Sequence, residues 1–493
     1  MAGRYHDPID EFERKHRQLL GAIERRIQRS FQGLHLATSQ VLDGVPFDSI
    51  SQDEGFDISK YPTLEAQINN LTEKAQREII NSIRQAIRST YAVSTDKAID
   101  LVKHYLGDKD GRLYINTLQR AGGAVAFQKR WFNDHPISKN VWNITDQFKA
   151  EVEDRVTADL LAGTPADQIS RNIRNYLNEP NKLFRRQKGA DGLLRLSKNA
   201  RAYHPGQGVY RSSYKNARRL ALTEVNNAYR KADSDRWQQL DFVIGVRVQL
   251  SNNHTYRDHK GRLRTLVDIC DDLQGDYPKD FVFTSWHPHC RCIATPILKS
   301  RAEMKADRER ILNGEEPTPS PHEVKDMPDN FKQWQKTNAS RIQGAMERGT
   351  LPHWIKDNCI PNTDGSLFPL FGYPTQTARL KAFKAKAKEM WQGKKFRDEI
   401  TITNKGIKEW LNQPHKHKAD KDKAIFQIDE LLSNAEYKGR VIDNHNSQLK
   451  SRIYEVKIGG DPSYLIVREF AWGRQLHSVT DSNSILKHIK DRQ

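Results

Sequence analysis

Cysteines and long apolar runs are scarce in this chain, and each shortage excludes a class of protein. The 493 residues contain 4 cysteines. That is too few for a secreted domain built on disulfides, so we expect folding in a reducing cytoplasm. No run approaches the roughly 18 apolar residues that a membrane-spanning helix requires, and we expect no membrane partner. The charged start, MAGRYHDPIDEFERKHRQ, lacks the apolar core of a signal peptide, so we do not expect secretion.

Basic residues outnumber acidic ones along the chain. Lys and Arg total 80 against 62 Asp and Glu, a formal net charge of +18. Such an excess predicts a polyanionic partner, but charge alone does not choose between DNA and RNA. The length predicts roughly two to four domains. With 37% hydrophobic and 29% charged residues, long solvated helices are expected rather than one large core.

Three of the 4 cysteines and four of the 17 histidines lie in the segment 254–292. It contains Cys270, Cys290, Cys292, His254, His259, His287 and His289. This density predicts one tetrahedral zinc that holds together a loop with little apolar surface; the alternative is a loop of solvated histidines and buried thiols. The expected ligands are Cys270, His287, Cys290 and Cys292. The zinc would be structural, because the His-x-Glu and Pro-Cys-x-x-Cys motifs of zinc deaminases are missing.

Apolar residues at helical spacing predict long helices in the first half of the chain. They include an amphipathic helix over 8–31, a stripe from Leu64 to Ile87, and a helix that ends near residue 238. Thr223 and Glu224 lie within that last helix. We expect them to hold the neighbouring loop by hydrogen bonds rather than to catalyse a reaction.

The character of the sequence changes after residue 374. Between residues 375 and 397 there are eight basic residues and one acid, which predicts a basic helical tether. Its nucleic-acid-binding candidates are Lys384, Lys386, Lys388, Lys394 and Lys395. Beyond residue 396, short helices precede alternating strands over 454–458, 465–469 and 476–480, which is typical of a compact α+β domain of about 100 residues.

This last domain carries histidines and basic residues but no cluster of carboxylates for magnesium. The candidates for chemistry are His415, His417, His445, Lys457, Arg468, Arg474, His477 and Thr480. Such residues suit metal-independent RNA cleavage, in which a neutral imidazole takes the 2′-hydroxyl proton and Arg or Lys neutralises the phosphorane. A second, protonated group would deliver a proton to the leaving 5′-oxygen. Histidine can take either role, because both its neutral and its protonated form exist near neutrality. No catalytic cofactor is expected. For each histidine the alternative is a solvated surface residue.

Three motifs in the middle of the chain resemble the Mu F-like phage head-morphogenesis (minor capsid) family. They are ALTEVNNAYRKADSDRW (221–237), CDDLQG (270–275) and HPHCRC (287–292). Val267 stands where that family has the first cysteine of a Cys-x-x-Cys pair. The resemblance covers about residues 140–300 and implies a portal-proximal protein whose partners are portal or capsid proteins and packaged DNA.

The C-terminal motifs resemble phage-associated barnase–EndoU–colicin–RelE-like nuclease domains. They are IKEWLNQPHKH (407–417), NAEYKG (434–439) and HSVTD (477–481). This resemblance implies a toxin-like ribonuclease with RNA as substrate and an immunity protein as partner. By it His415 corresponds to the helical histidine, and Arg468, His477 and Thr480 to residues on the sheet. Lys457 completes the predicted catalytic set.

The predicted architecture is a mainly α N-terminal body with a small α+β Cys/His segment, followed by a compact α+β domain of helices and antiparallel sheet. Its predicted parts are a helical region 1–135, a Mu F-like domain 136–300, a helical extension and basic linker 301–395, and a nuclease domain 396–493. The chain is thus interpreted as a minor head protein in the virion interior, and in the host cytoplasm during assembly, that carries a ribonuclease. The alternative is a purely structural protein that docks capsid or DNA. Convergence of His415 and His477 on one phosphate-sized cleft would favour the ribonuclease.

Overall fold

The computed structural model describes most of the chain. The described residues are 8–47, 56–120, 123–124, 127–128, 137–161, 164, 168–169, 171, 187–188, 194–195, 212–251, 254–257, 262–288, 290–373, 375–442, 449–459 and 461–489. Three histidines singled out above, His259, His289 and His445, lie outside these residues. Among the described helices, none is both long enough and apolar enough to cross a membrane.

Long helices build the N-terminal body. They are α1 (Pro8–Leu42), α2 (Pro62–Asp110), α3 (Arg112–Arg120), α4 (Ile137–Leu161) and, after the short strands β1 (Gln187–Lys188) and β2 (Leu194–Arg195), α5 (Ser213–Trp237). The apolar stripe of α2 is buried along its length, including Ile68, Ile79, Ile83 and Ile87. This stripe packs against α1 and α5. An apolar stripe along one face of a helix is buried by contact with neighbouring elements, here the two other helices.

A small sheet and several short helices form the middle of the molecule. In chain order they are β3 (Val243–Gln249), β4 (Thr255–Arg257), β5 (Leu263–Thr265), the short helix α6 (Ile269–Leu273), β6 (Gly275–Tyr277) and β7 (Ile293–Leu298). The main sheet has the antiparallel order β6-β3-β7. Then follow α7 (Arg301–Leu312), α8 (Asp329–Thr337), α9 (Ala339–Glu347), α10 (His353–Asn358), β8 (Cys359–Pro361) and β9 (Leu367–Pro369). Aromatic rings dominate this core, among them Tyr277, Phe281 and Trp354.

The C-terminal unit is an α+β domain with a twisted five-stranded sheet. Its elements are α11 (Gln376–Trp391), β10 (Ile400–Ile402), α12 (Asn404–Asn412), α13 (Lys418–Ala424), α14 (Ile428–Ser433), β11 (Glu436–Ile442), β12 (Lys450–Ile458), β13 (Asp461–Phe470) and β14 (Gly473–Thr480). The strand order is β10-β14-β13-β12-β11, antiparallel except for the parallel pair β10 and β14. The predicted fold class, a mainly helical body followed by an α+β domain, is confirmed.

The segment 375–397, expected to be a basic tether, is instead packed into the C-terminal unit. It forms α11, whose Phe383, Ala387 and Trp391 are buried in the C-terminal core together with strand residues such as Leu465. The physical reason is the spacing of these apolar residues, four apart on one face, which the count of lysines concealed. Helix α11 is therefore part of the C-terminal unit rather than a free linker.

Candidate metal centre and candidate catalytic histidines

Helix capping positions the first cysteine of the Cys/His group. Asp268 is the N-cap of α6, and its carboxylate accepts a hydrogen bond from the Cys270 backbone N–H at 2.8 Å. Asp271 returns the interaction by accepting from the Asp268 N–H at 2.8 Å, which completes a capping box. Cys270 is consequently held on the first turn of a short, doubly capped helix.

The four residues predicted as metal ligands lie together. The Cys270 Sγ is 3.7 Å from the Cys290 Sγ and 3.1 Å from the His287 Nε2, and the Cys292 thiol is hydrogen-bonded with both other thiols. Two thiolates on one tetrahedral zinc, each at about 2.3 Å, would be about 3.8 Å apart. All three cysteines are buried. The group Cys270, His287 and Cys290 could bind a metal.

The orientation of His287 fits a ligand role. Its Nδ1 lies 2.7 Å from the Pro288 carbonyl oxygen. This places the proton on Nδ1 and directs the Nε2 lone pair at the thiols, the usual arrangement around metal-bound histidines. Asp268 Oδ2 is 3.2 Å from the same Nε2. The other Asp268 oxygen faces His254, whose Nε2 is 3.2 Å from Asp271. Asp268 thus lies between His287 and His254.

The thiols share their protons unequally. Hydrogen bonds from Cys270 and Cys292 lower the pKa of the Cys290 thiol well below its ordinary value. The pKa of Cys270 is raised by its hydrogen bonds to the other two thiols and by burial. Cys290 is therefore the thiol of this group that loses its proton most readily, and the thiolate is the form that binds a metal.

A buried ionic network joins this group to the helical body. The Arg230 guanidinium on α5 donates to both Glu13 oxygens and to the Cys292 carbonyl oxygen. Lys97 on α2 donates to Asp233 at 2.5 Å. Sequence reasoning missed these four charged residues. The one signal was the i, i+3 spacing of Arg230 and Asp233 on an otherwise apolar face.

Thr223 and Glu224 are expected to hold a loop by hydrogen bonds, but the structure shows a buried side-chain oxygen of each residue without such a bond in the part of the chain that it describes. These two atoms are the Thr223 Oγ1 and the Glu224 Oε2. Burial raises the pKa of Glu224 to about 8. Glu224 is consequently protonated near neutrality, because an isolated buried carboxylate is costly.

In the C-terminal unit, the loop between α12 and α13 brings two histidines together. His415 Nδ1 accepts a hydrogen bond from the His417 backbone N–H at 2.9 Å, so its proton sits on Nε2, which faces the Ser463 Oγ at 3.1 Å. Burial lowers the pKa of His415. The two imidazole centroids are 6.2 Å apart.

Two carboxylates hold the same loop. His417 Nε2 is 2.8 Å from Asp461 Oδ2, and the Lys416 ammonium donates to that oxygen at 2.9 Å. The Lys416 backbone N–H donates to Asp481 at 2.7 Å. The hydrogen bonds from the His417 ring and the Lys416 ammonium lower the pKa of Asp461 to about 2. Gly459 lies directly against the His417 ring, and its φ of +60° is one that other residues rarely adopt.

The other predicted catalytic residues lie elsewhere on the sheet. Alternation along paired strands places Lys457, Arg468 and Thr480 on the face opposite to Ser463, the residue that His415 contacts. His477 is the extra residue of a β-bulge between Leu476 and Ser478. The register therefore puts Lys457, Arg468 and Thr480 on one face of the sheet, opposite to the face to which His415 belongs.

The lysines predicted to bind nucleic acid divide into two classes. Lys386 is buried and donates to Asn362 and Glu389, each at 2.6 Å, so it is a structural residue. The rest are exposed: Lys384, Lys388, Lys394 and Lys395. Lys395 also donates to Glu399 at 2.5 Å.

Comparison with known proteins bears on the C-terminal unit alone. Residues 375–477 match the family model of the large polyvalent protein-associated domain 3. No curated protein and no solved structure gives a significant match. The matched range begins at α11, in agreement with the packing of that helix into the C-terminal core. The match indicates a domain of the kind associated with phage and polyvalent proteins.

Proposed function

We propose that this chain is a phage head-associated protein whose C-terminal unit cleaves RNA without a metal ion. The observation that carries the nuclease proposal is the pair His415 and His417, 6.2 Å apart between ring centroids with the Lys416 ammonium beside them. Two imidazoles and an ammonium within one loop are suited to a phosphodiester, which needs a base and positive charge at close range.

His417 is assigned as the general base. Its Nε2–H donates to Asp461, which leaves the lone pair on Nδ1, as in a catalytic dyad in which a carboxylate fixes the tautomer. Nδ1 takes the proton of the ribose 2′-hydroxyl, the 2′-oxygen bonds to phosphorus, and the bond to the 5′-oxygen breaks. Solvent protonates the leaving 5′-oxygen. The products are a 2′,3′-cyclic phosphate and a 5′-hydroxyl.

His415 and Lys416 are assigned to stabilise the negative charge that develops on the phosphorane oxygens. The lowered pKa of His415 keeps it neutral near pH 7, where its Nε2–H is a donor that a phosphate oxygen can accept in place of Ser463. The pKa of Lys416 is raised by its hydrogen bond to Asp461, so it remains a cation. Donors placed around the phosphorane stabilise it more than they stabilise the substrate.

The test is RNA cleavage by the full-length chain in excess EDTA. We expect products with 2′,3′-cyclic phosphate ends, and a loss in kcat of about 100-fold or more for His417→Ala. His477→Ala and the exposed His488→Ala serve as controls and should retain activity. If the folded protein leaves RNA intact, or if His417→Ala cleaves normally, the proposed ribonuclease is wrong.

The head-protein proposal is supported by the Cys/His group and by the phage-associated type of domain that follows it. We propose that Cys270, His287, Cys290 and Cys292 bind a structural zinc, a proposal supported by the proximity of the first three side chains. Mass spectrometry of purified phage particles should detect this chain in proportion to a portal or capsid protein. Its absence from particles that contain those proteins would contradict the proposal.

A purely structural role is the second candidate. It is favoured by the exposed lysines of and after α11, among them Lys384 and Lys388, which suit docking to packaged DNA without turnover. If the protein is found in phage particles but cleaves no RNA in the EDTA assay, the structural role is favoured over the ribonuclease.

A further inference from the structure

An aromatic pair projects from the tip of the β13–β14 hairpin. Trp472 lies in the two-residue connection and is 69% exposed, in a molecule whose other tryptophans are largely covered where their burial is described. The Phe470 ring is stacked with it, with centroids 5.0 Å apart and planes at 9°. The two rings present a flat π surface at the end of a rigid hairpin rather than filling a core.

Arginines crowd the base of the same hairpin. Glu469 is approached by the guanidinium groups of Arg452 at 2.5 Å, Arg440 at 3.3 Å and Arg474 at 3.7 Å. Arg474 also donates to the Asp398 carbonyl oxygen at 2.7 Å, which fixes its position. By strand alternation these arginines share the sheet face of Glu469, whereas Phe470 lies on the other face. Three guanidinium groups around the one Glu469 carboxylate leave a net positive charge at the base of the hairpin.

We propose that this hairpin tip binds the single-stranded RNA substrate, with an unpaired base stacked on Trp472 and the phosphate backbone attracted by the arginine cluster at the hairpin base. Aromatic side chains next to arginines are the combination by which proteins hold single strands, because every base has a π face and every nucleotide a phosphate. A duplex keeps its base faces inside the helix, so it is not expected to bind in this way. The choice of RNA rests on the proposed ribonuclease.

The hairpin tip is far from the histidines. Ser463, which contacts His415, and Phe470 are seven residues apart on β13, a separation of about 23 Å at 3.3 Å per residue. A strand that reaches from one to the other needs roughly seven stacked nucleotides at about 3.4 Å each. The tip would therefore hold long substrates and leave dinucleotides unaffected.

Binding is measured with the full-length chain and a fluorescent, non-cleavable 2′-O-methyl 12-mer of RNA. We expect Trp472→Ala to weaken the Kd about tenfold, the size of one lost base–aromatic stack. Trp472→Phe should recover most of the affinity, and Leu312→Ala, which removes an equally exposed apolar side chain on α7, should change nothing. An unchanged Kd for Trp472→Ala, or equal affinity for the duplex of the same sequence, would overturn the proposal.

Cleavage kinetics separate this proposal from the ribonuclease itself. For a 12-mer substrate, Trp472→Ala should raise KM about tenfold with kcat unchanged, while dinucleotide cleavage stays at the level of the unaltered protein. Binding of the 12-mer that depends on Trp472 in a chain that cleaves no RNA would refute the ribonuclease and leave the binding site standing. Single-stranded DNA that binds as tightly as RNA, with the same dependence on Trp472, would overturn the assignment to RNA.

Discussion

The carboxylate of Glu13 and the guanidinium of Arg230 form a buried two-pronged ion pair, with N–O distances of 2.9 and 3.1 Å between residues 217 positions apart. Although burial raises the pKa of Glu13, the charges of Arg230 and Lys97 lower it overall, so the carboxylate stays ionised. Because the same guanidinium also reaches the Cys292 carbonyl oxygen, this pair ties α1 and α5 to the Cys/His group.

Removing one partner of this pair should be costly. We expect Arg230→Ala to lower the free energy of unfolding by about 3–5 kcal/mol, because Glu13 is left buried without its main partner. Urea denaturation measures the change. The matched control is Arg218→Ala, which breaks the half-exposed pair with Glu24 at 2.6 Å and should cost at most about 1 kcal/mol. Equal losses for the two variants would contradict the importance assigned to burial.

Because the pKa of Glu224 is raised in the folded protein, we expect its contribution to the free energy of unfolding to fall as pH rises. Its folded pKa of about 8 lies above the ordinary value of 4.5, so between these limits the folded state binds more protons than the unfolded one. Stability is therefore lost through this window, with a slope of at most about 1.4 kcal/mol per pH unit. Glu224→Gln should reduce the slope in urea titrations at pH 5 to 8 and leave the part contributed by Glu151, whose pKa is also raised by burial to about 8. Glu309→Gln on the exposed face of α7 should leave the slope unchanged. An unchanged slope in Glu224→Gln would show that the carboxylate is not buried as described.

The Cys/His group predicts zinc at about one equivalent per chain. Elemental analysis of the purified full-length protein should show this content, and Cys270→Ser or Cys290→Ser should reduce it. Cys359→Ser is the matched control, because Cys359 is also a buried free cysteine but belongs to β8. A content below about 0.2 equivalents in the unaltered protein would exclude a stoichiometric metal site.

The contact of Gly459 with His417 can be tested without touching the histidine. A Cβ at position 459 would lie 2.5 Å from the His417 Cγ, so Gly459→Ala should displace the ring and lower RNA cleavage about tenfold or more. Gly393→Ala imposes similar backbone strain, at a φ of +75°, but meets no atom within 4 Å. This control should lose stability alone. Equal activity of the two variants would argue against His417 as the base.

Local patterns in the sequence predicted much of this fold. The stripe of α2, the alternation in β12 and β13, and the short spacing from His287 to Cys292 concern residues close in the chain, where helix and strand periods decide which side chains share a face. The Cys/His group could be predicted because its candidate ligands come from two short segments. The capping role of Asp268 could also have been recognised, since an aspartate before a short helix with another acid three residues later is a capping pattern.

Tertiary structure alone decided the contacts that matter most for function. The sequence by itself determined the helices, the α+β character of the C-terminal unit and the identity of the metal-binding candidates, since these follow from local periodicity and residue chemistry. Packing determined that α11 joins a core, that Arg230 meets Glu13, and that His417 meets Asp461 rather than a residue near His477. One extra residue at the bulge of β14 changes which side chains share a face. Such contacts depend on register and on docking between distant segments, and no local spacing encodes them.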